Sequence, residues 1–172
     1  MAKSKQPRRD VSRPSGDLRG IRLLAETAAG LASLEDPDAL QKEALKGALD
    51  IFRCASGAVC LCDGNQNRMR LGLAAGAAKG FRPGELLGMA PVREIVLGER
   101  RPLVLDDPGL TLGSEMGGWH GLAVVPIAGP SRLLGVLVLG DLAEGDAFSA
   151  TDVALMAALG NVIAVAAETS LV

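Results

Sequence analysis

Two apolar runs in the second half of the chain constrain its fold more than any other feature. The runs cover residues 122–128 and 133–142, and the four residues between them, Gly-Pro-Ser-Arg, favour a turn. Each run is nearly continuous in apolar side chains, which predicts strands that are covered on both faces of a sheet. The chain is therefore expected to pair these strands as a hairpin and to supply a layer for each side.

Helical patterns lie at both ends of the chain. Apolar residues at three- and four-residue spacing predict a first helix over residues 17–34. A second helix is expected to begin at Asp36, a good N-cap, with Pro37 in the first helical position. A final helix covers residues 149–169, and Ser149 with the aspartate three residues later resembles a capping box.

Between these helices the apolar period changes from 3.6 to 2. Residues 57–63 are a short apolar run, residues 68–73 alternate between polar and apolar, and the turn between them predicts a second hairpin. Residues 102–106 predict another strand. A short helix is expected over residues 91–98, before that strand. The predicted fold class is α+β: an antiparallel sheet sandwiched by helices, with the N-terminal and C-terminal helices packed on one face.

Length and charge indicate the domain organisation. The chain has 172 residues, of which 48% are hydrophobic, and this suits one domain with a substantial core. Residues 1–16 contain five basic residues, one acidic residue and no apolar period, which predicts a disordered basic tail ahead of a single domain at 17–170. The tail is interpreted as a solvated leader; a weak electrostatic arm for nucleic acid or an acidic partner is the alternative.

Composition excludes several classes of function. A net charge of −2 and only four aromatic residues argue against a cationic nucleic-acid binder with a base-stacking surface. Three cysteines and one histidine provide neither a disulfide framework nor a four-ligand zinc motif. No secretion signal is expected, and the longest uncharged apolar run, residues 153–167, is shorter than a bilayer requires. We therefore expect a cytoplasmic protein with free thiols and no membrane partner.

Two stretches of sequence resemble a known family. Residues 121–168, GLAVVPIAGPSRLLGVLVLGDLAEGDAFSATDVALMAALGNVIAVAAE, follow a closing pattern of an apolar Val-Pro strand, a turn, a Gly-Val strand and Phe-Ser-x-x-Asp before an apolar helix. Residues 90–107, APVREIVLGERRPLVLDD, resemble a helix–Gly–Arg-Pro–strand–Asp-Asp unit. In this order they resemble the GAF domain, a ligand-sensing and dimerising module of bacterial signalling proteins and cyclic-nucleotide phosphodiesterases. The resemblance covers about residues 17–170.

The chain departs from the cyclic-nucleotide-binding members of that family. Those members carry an Asn-Lys pair before a Phe-x-x-x-Asp-Glu motif. Here Phe148 and Asp152 match the Phe and Asp, but Val153 replaces the Glu and Gly140-Asp141 stand where Asn-Lys is expected. The resemblance therefore does not imply a cyclic nucleotide as the ligand, and no cofactor is assigned.

The three cysteines leave two interpretations open. Members that bind bilins need an attachment cysteine after the third strand, whereas Cys54, Cys60 and Cys62 all lie upstream, so no covalent chromophore is expected. Members that reduce free methionine sulfoxide also use three cysteines, but these lie in the middle of the domain. Buried packing is the preferred role. A thiol-based redox sensor or reductase that uses these three thiols is the alternative.

Candidate ligand-binding residues surround the aperiodic, glycine-rich segment 107–118. A segment of this length inside a domain is more often functional than accidental, and it precedes an apolar strand. We predict an aliphatic cavity against the strands at 122–128 and 133–140, gated by residues 107–120. Its polar contacts are predicted at the residues Ser114, Trp119, His120 and Asp141. For Trp119 and His120 the alternatives are core packing and a surface position, and no catalytic or metal-binding residue is identified.

These observations lead to one functional hypothesis with an alternative. The resemblance implies a non-catalytic regulatory module that binds a small molecule or a partner and signals through its terminal helices to a partner protein or an output domain. The final helix has no charge over residues 153–167, so its surface needs a second partner, and a homodimer through the terminal helices is expected. A ligand-free module that only dimerises is the alternative.

Overall fold

The structure is a computed structural model that describes most of the chain. The described residues are 6–63, 68–76, 78, 82–106, 119–130, 132–143 and 146–170.

Helices lie at both ends and in the middle of the described chain. They are α1 (Gln6–Ala32), α2 (Pro37–Phe52), α3 (Pro83–Leu87), the π-helical α4 (Val92–Gly98) and α5 (Ala150–Ser170). The strands are β1 (Cys54–Cys62), β2 (Met69–Ala75), β3 (Leu103–Leu105), β4 (Leu122–Ala128) and β5 (Leu133–Leu142).

The strands form one five-stranded sheet in the order β2-β1-β5-β4-β3, and every neighbouring pair is antiparallel. The two predicted hairpins, β1–β2 and β4–β5, are both present. Strand β1 joins them by pairing with β5, which places the first hairpin beside the second. The predicted α+β fold is confirmed.

Both strands of the central hairpin bury side chains on both faces, as their apolar runs predict. Successive residues of a strand point to opposite faces, so Val125 and Leu137 face the long helices while Val124 and Val136 face the opposite side. The core under α1, α2 and α5 includes Leu31, Leu40, Leu45, Phe52, Leu139, Met156, Leu159 and Ile163. The core on the other face includes Ala58, Cys60, Leu86, Val92, Val96, Leu122 and Val138.

Two predicted helix starts are confirmed by their caps. The Asp36 carboxylate accepts a hydrogen bond from the backbone N–H of Ala39 at 3.2 Å, with Pro37 in the first turn. At the start of α5, the Ser149 N–H donates to Asp152 Oδ2 at 2.8 Å and the Asp152 N–H donates to Ser149 Oγ at 3.1 Å. This reciprocal pair is a capping box, and it satisfies backbone donors that the helix leaves unpaired.

The first helix differs from its prediction. It begins at Gln6, not at Asp17, so residues 6–16 of the predicted disordered tail are helical. Arginine and glutamine are good helix formers, and extending an existing helix avoids the cost of nucleation. The lack of an apolar period before residue 17 therefore did not indicate where the helix begins. The division into a tail and a domain stays a prediction, and residues 1–5 lie outside the described part.

Candidate functional site

The pairing of β4 with β5 brings three of the four predicted ligand-binding residues to one end of the sheet. Trp119 and His120 precede β4, and Asp141 lies near the end of β5. The Leu142 N–H donates to the His120 carbonyl at 2.7 Å, and the Asp141 N–H donates to the Gly121 carbonyl at 3.3 Å. These residues form the β4–β5 end of the sheet. The fourth predicted residue, Ser114, lies outside the described residues.

Asp141 has a strained backbone at this end. Its φ of 62° lies in the left-handed region, which non-glycine residues rarely adopt. Its side chain is held by the buried Ser56, whose Oγ donates to Asp141 Oδ2 at 3.4 Å. The carboxylate is therefore fixed by a serine on β1, a contact between residues far apart in sequence.

Trp119 and His120 occupy different environments. The Trp119 ring is partly buried against the core under α3 and α4, and a Cβ at Gly140 would collide with it. The His120 side chain is exposed. These positions fit the alternatives of core packing for Trp119 and a surface position for His120. The ligand role of all four residues stays a prediction.

The strand surface behind these residues is closed in the described part of the chain. Leu122, Val124, Val136 and Val138 are fully buried and belong to one cluster with residues of α3 and α4. The predicted gate at residues 107–118 lies outside the described residues, so the predicted cavity beneath it stays a prediction.

A large cavity lies elsewhere, between α2, α5 and the other end of the sheet. It has a volume of about 390 Å³, and we call it the helix-side cavity. Its lining residues come from α2, the end of β1, β2, the end of β4, the turn that follows, the start of β5, and α5. They are Pro37, Asp38, Leu40, Gln41, Ala44, Val59, Leu61, Cys62, Asp63, Arg70, Gly72, Ile127, Arg132, Leu133, Leu134, Ile163 and Ala167.

The interior of the helix-side cavity is apolar and buried, whereas its rim is charged. Leu40, Val59, Ile127, Leu133 and Ile163 are all buried hydrophobic residues. The charged lining residues Asp38, Asp63, Arg70 and Arg132 are exposed. This distribution is the one expected of a ligand pocket, in which a few polar groups orient an apolar body.

Sequence reasoning missed this cavity, although one signal for it exists. Gly72 is an isolated glycine inside β2, and such a glycine often marks a close approach by another group. In the structure the Gln41 carboxamide lies over Gly72, and a Cβ at that position would collide with it. The glycine therefore lets a polar side chain of α2 lie against the strand at the cavity wall.

The three cysteines do not form a shared thiol site. Cys54 belongs to the core under the long helices and Cys60 to the core on the opposite face. Burial raises the pKa of Cys54 to about 12, with the charges of Asp152 and Asp141 adding to the effect. Burial also raises the pKa of Cys60 to about 12 and, together with the charge of Asp63, raises the pKa of Cys62.

These pKa shifts keep the thiols protonated at neutral pH, whereas the thiolate is the reactive form. Among the described residues, no group of three or more His, Cys, Asp or Glu side chains is placed to hold a metal ion.

The terminal helices expose apolar side chains. Leu18 is 67% exposed and Ile21 is 52% exposed on α1, and Val165 is 60% exposed on α5. Within the described residues these three are the exposed large hydrophobic side chains. The two helices pack together closely, since a Cβ at Gly20 would lie 2.8 Å from Leu155 Cδ1.

By length and composition, Ala150–Thr169 of α5 is apolar enough to cross a membrane, with a mean hydropathy of 1.7. It is the one such helix in the described part of the chain. The same property suits a core helix, and Met156, Leu159, Ile163 and Ala164 of this helix are buried in the domain. The apolar character of α5 is therefore weak evidence for a membrane span.

Comparison with protein families gives a match to the GAF domain over residues 36–169. The match begins at the N-cap of α2 and ends one residue before the end of α5. No curated protein matches the sequence.

Solved structures share the fold at low sequence identity. Free methionine-R-sulfoxide reductase from Neisseria meningitidis, in complex with its substrate, has a TM-score of 0.68 and 17% identity, with 90% of this chain and 92% of that chain covered. The GAF domain/HD domain protein from Geobacter sulfurreducens has a TM-score of 0.66 and 18% identity, with coverages of 82% and 97%. The A. aeolicus nlh2 GAF domain in an inactive state has a TM-score of 0.64 and 17% identity, with coverages of 90% and 98%.

Proposed function

We propose a regulatory function for this chain, which belongs to the GAF domain family. It is a non-catalytic cytoplasmic module that binds a small molecule or a partner and transmits the effect through α1 and α5 as a homodimer. GAF domains are typically sensory or regulatory modules of bacterial signalling proteins. The single observation that carries the proposal for this chain is the apolar surface on its two terminal helices.

This surface has the properties of a helical dimer interface. The exposed large hydrophobic side chains of the described residues are confined to α1 and α5, the two helices that meet on one face of the sheet. On α5, exposed positions that follow a helical repeat are Ala154, Ala157, Asn161 and Val165, and all of these except Asn161 are apolar. Burying them against a second copy removes apolar area from water and lets the helices approach closely.

The dimer interface also supports a route for the signal. Any ligand that changes the packing of α1 or α5 alters the surface that the second copy covers, and a shift in the population of the dimer follows. The GAF domain/HD domain protein among the solved neighbours joins such a module to a second domain. We propose that this module likewise acts on a partner protein or on an output domain.

The four predicted residues Ser114, Trp119, His120 and Asp141 remain the proposed ligand contacts at the β4–β5 end. Trp119 is the only tryptophan, so its fluorescence directly reports binding there. The alternative of a thiol reductase has less support: its thiols face two sides of the sheet, and burial raises their pKa values. The methionine sulfoxide reductase named above supports that alternative through its fold alone.

The test of the homodimer is light scattering of the full chain at micromolar concentration. We expect a dimer for the unmutated protein and a monomer for Ile21→Glu and for Ala157→Glu, because each places a charge in an apolar contact. Lys46→Glu, an exposed change on α2, is the matched control and leaves the dimer intact. A monomeric unmutated protein contradicts the proposal.

A further inference from the structure

We propose that the helix-side cavity binds an aliphatic carboxylate, with the chain of the ligand in the apolar interior and its carboxylate at Arg132. This site is separate from the predicted ligand contacts, which lie where β4 begins and β5 ends. The cavity lies at the opposite end of these two strands, because the start of β5 and the turn before it line it. The inference concerns binding alone and stands whether or not the chain dimerises.

The interior suits an unbranched apolar chain. Its volume of about 390 Å³ falls within the roughly 300–1,000 Å³ of typical ligand pockets. Buried aliphatic side chains from the helix layer and the sheet surround it: Leu40 of α2, Val59 and Ile127 of the sheet, and Ile163 of α5. Ala44 and Ala167 line it with minimal side chains, so the space between the two helices stays open. Desolvation of methylene groups in this interior supplies the affinity.

The charges at the rim select an anionic head group. Asp63 and Arg70 lie 3.8 Å apart and neutralise each other. Asp38 is in the first turn of α2, where the positive end of the helix dipole offsets its charge. Arg132 is different, because its guanidinium has no ion-pair or side-chain hydrogen-bond partner in the described part of the chain. The Glu168 carboxylate lies against Gly129 of the same turn but forms no ion pair with Arg132. A carboxylate is the group that an arginine fork binds in a bidentate manner.

A second polar group lies on the cavity wall. Gln41 of α2 lines the cavity, and its Oε1 is the carboxamide atom that lies against Gly72 of β2. The same carboxamide carries two N–H donors, and these can donate to a carboxylate that reaches Arg132. The site therefore combines an apolar interior, a cation without a partner among the described residues, and one neutral polar group.

The cavity is positioned to affect the terminal helix. Ile163 and Ala167 of α5 form part of its wall, one helical turn apart. A bound chain contacts these residues directly, so occupancy is expected to stabilise α5 against the sheet. This is a consequence of binding and not an argument for it.

The experiment is calorimetric titration of the full chain with decanoate, decanol and decylamine. We expect decanoate to bind at one site per chain and both other compounds to bind at least about tenfold more weakly, since they lack the anionic partner for Arg132. Equal binding of decanol overturns the proposal, and so does tighter binding of decylamine or no binding of decanoate.

Two variants locate the site. Arg132→Ala is expected to weaken decanoate binding by roughly tenfold to a hundredfold, the loss expected for a hydrogen bond to a charged group, and Ala44→Leu to abolish it by filling the interior. Arg82→Ala, an exposed arginine before α3, and Ala75→Leu, in the neighbouring groove between α2 and β2, are the controls and retain binding.

Unchanged affinity in Arg132→Ala overturns the assignment, and this variant decides the matter even if Ala44→Leu does not fold. The titration is repeated on Ile21→Glu. If a monomeric Ile21→Glu variant still binds decanoate, the site does not depend on the dimer. If the monomeric variant no longer binds decanoate, the claim that the site is independent of the dimer is wrong. A failure of the dimer proposal is therefore distinguishable from a failure of this one.

Discussion

The two faces of the sheet are covered by helices of different length, and within the described residues they differ in how completely they are closed. On one face, the short elements α3 and α4 bury Val124, Val136 and Val138 completely. On the other face, α2 and α5 are long helices that bury a larger core, yet they leave a cavity of about 390 Å³ between them.

Helix length explains this difference. A sheet is twisted, so a long straight helix follows it closely over only part of its length, whereas a helix of one or two turns can follow the surface locally. The cavity lies near Ile127 and Leu133 of the sheet, and the small residue Ala44 of α2 does not fill the space. Space for a ligand and an apolar surface for a partner therefore occur together on the helical face.

The largest expected effect compares one buried leucine from each face. Leu159→Ala in α5 is expected to lower the free energy of unfolding by about 2–5 kcal/mol, because it opens a cavity in the larger core. Leu86→Ala in α3 is expected to cost less, since this five-residue helix can loosen locally without unfolding the domain. Urea unfolding followed by circular dichroism measures both values. Equal losses mean that the two faces form one equally rigid core.

A smaller effect is expected when one buried alanine on each face is replaced by valine, and the two changes are expected to differ in sign. Ala58→Val on the closed face is expected to lower the free energy of unfolding by about 1–3 kcal/mol, because the residue is fully buried in a packed cluster. Ala44→Val at the cavity wall is expected to be neutral or to raise it by up to about 1 kcal/mol, as cavity-filling changes commonly do. Thermal and urea unfolding of both variants decide the comparison. If both changes destabilise equally, the cavity is not available space.

The effect that is smallest near neutral pH, and that grows only at alkaline pH, concerns the buried thiols of the two faces. Cys54 and Cys60 each have a pKa that burial raises to about 12, whereas an ordinary thiol has a pKa of about 9.0. A raised native pKa means that the unfolded chain ionises first. Stability is therefore complete below about pH 9 and is lost as the pH rises toward 12. Each buried thiol contributes a slope of up to about 1.4 kcal/mol per pH unit in this range.

The matching measurement is the free energy of unfolding between pH 8 and pH 11 for the unmutated chain and for Cys60→Ala. The variant is expected to be less stable at pH 8, because it loses packing, and to lose stability less steeply at alkaline pH. The same slope in both proteins would mean that Cys60 is accessible to water.

Much of the fold could be predicted from local patterns. Strands β4 and β5 have the predicted bounds, because uninterrupted apolar runs around a turn identify a buried hairpin. The caps at Asp36 and Ser149 were also predicted, since a side-chain cap depends on residues only three positions apart. The start of α1 was not, because the segment before residue 17 lacks the apolar period on which the prediction relied.

Only part of the candidate ligand site could likewise be predicted from the sequence. Hairpin pairing predicts that the residues before β4 lie beside the end of β5, and Trp119, His120 and Asp141 meet there. The hydrogen bond from Ser56 to Asp141 was not predictable, because it requires β1 to lie next to β5. The role of Trp119, His120 and Asp141 in ligand binding remains a prediction.

The sequence by itself determined the strand hairpins, the helix caps and the apolar character of α5, since each depends on residues that are close along the chain. Only the tertiary structure decided where space remains and which charges lack a partner. The helix-side cavity exists because Ala44 and Ala167 stand opposite the sheet at a distance set by the larger side chains around them. Among the described residues Arg132 has no ion-pair partner, whereas Asp63 and Arg70 at the same rim pair with each other. The distances between helices and strands result from the packing of the whole core, so no local sequence pattern predicts them.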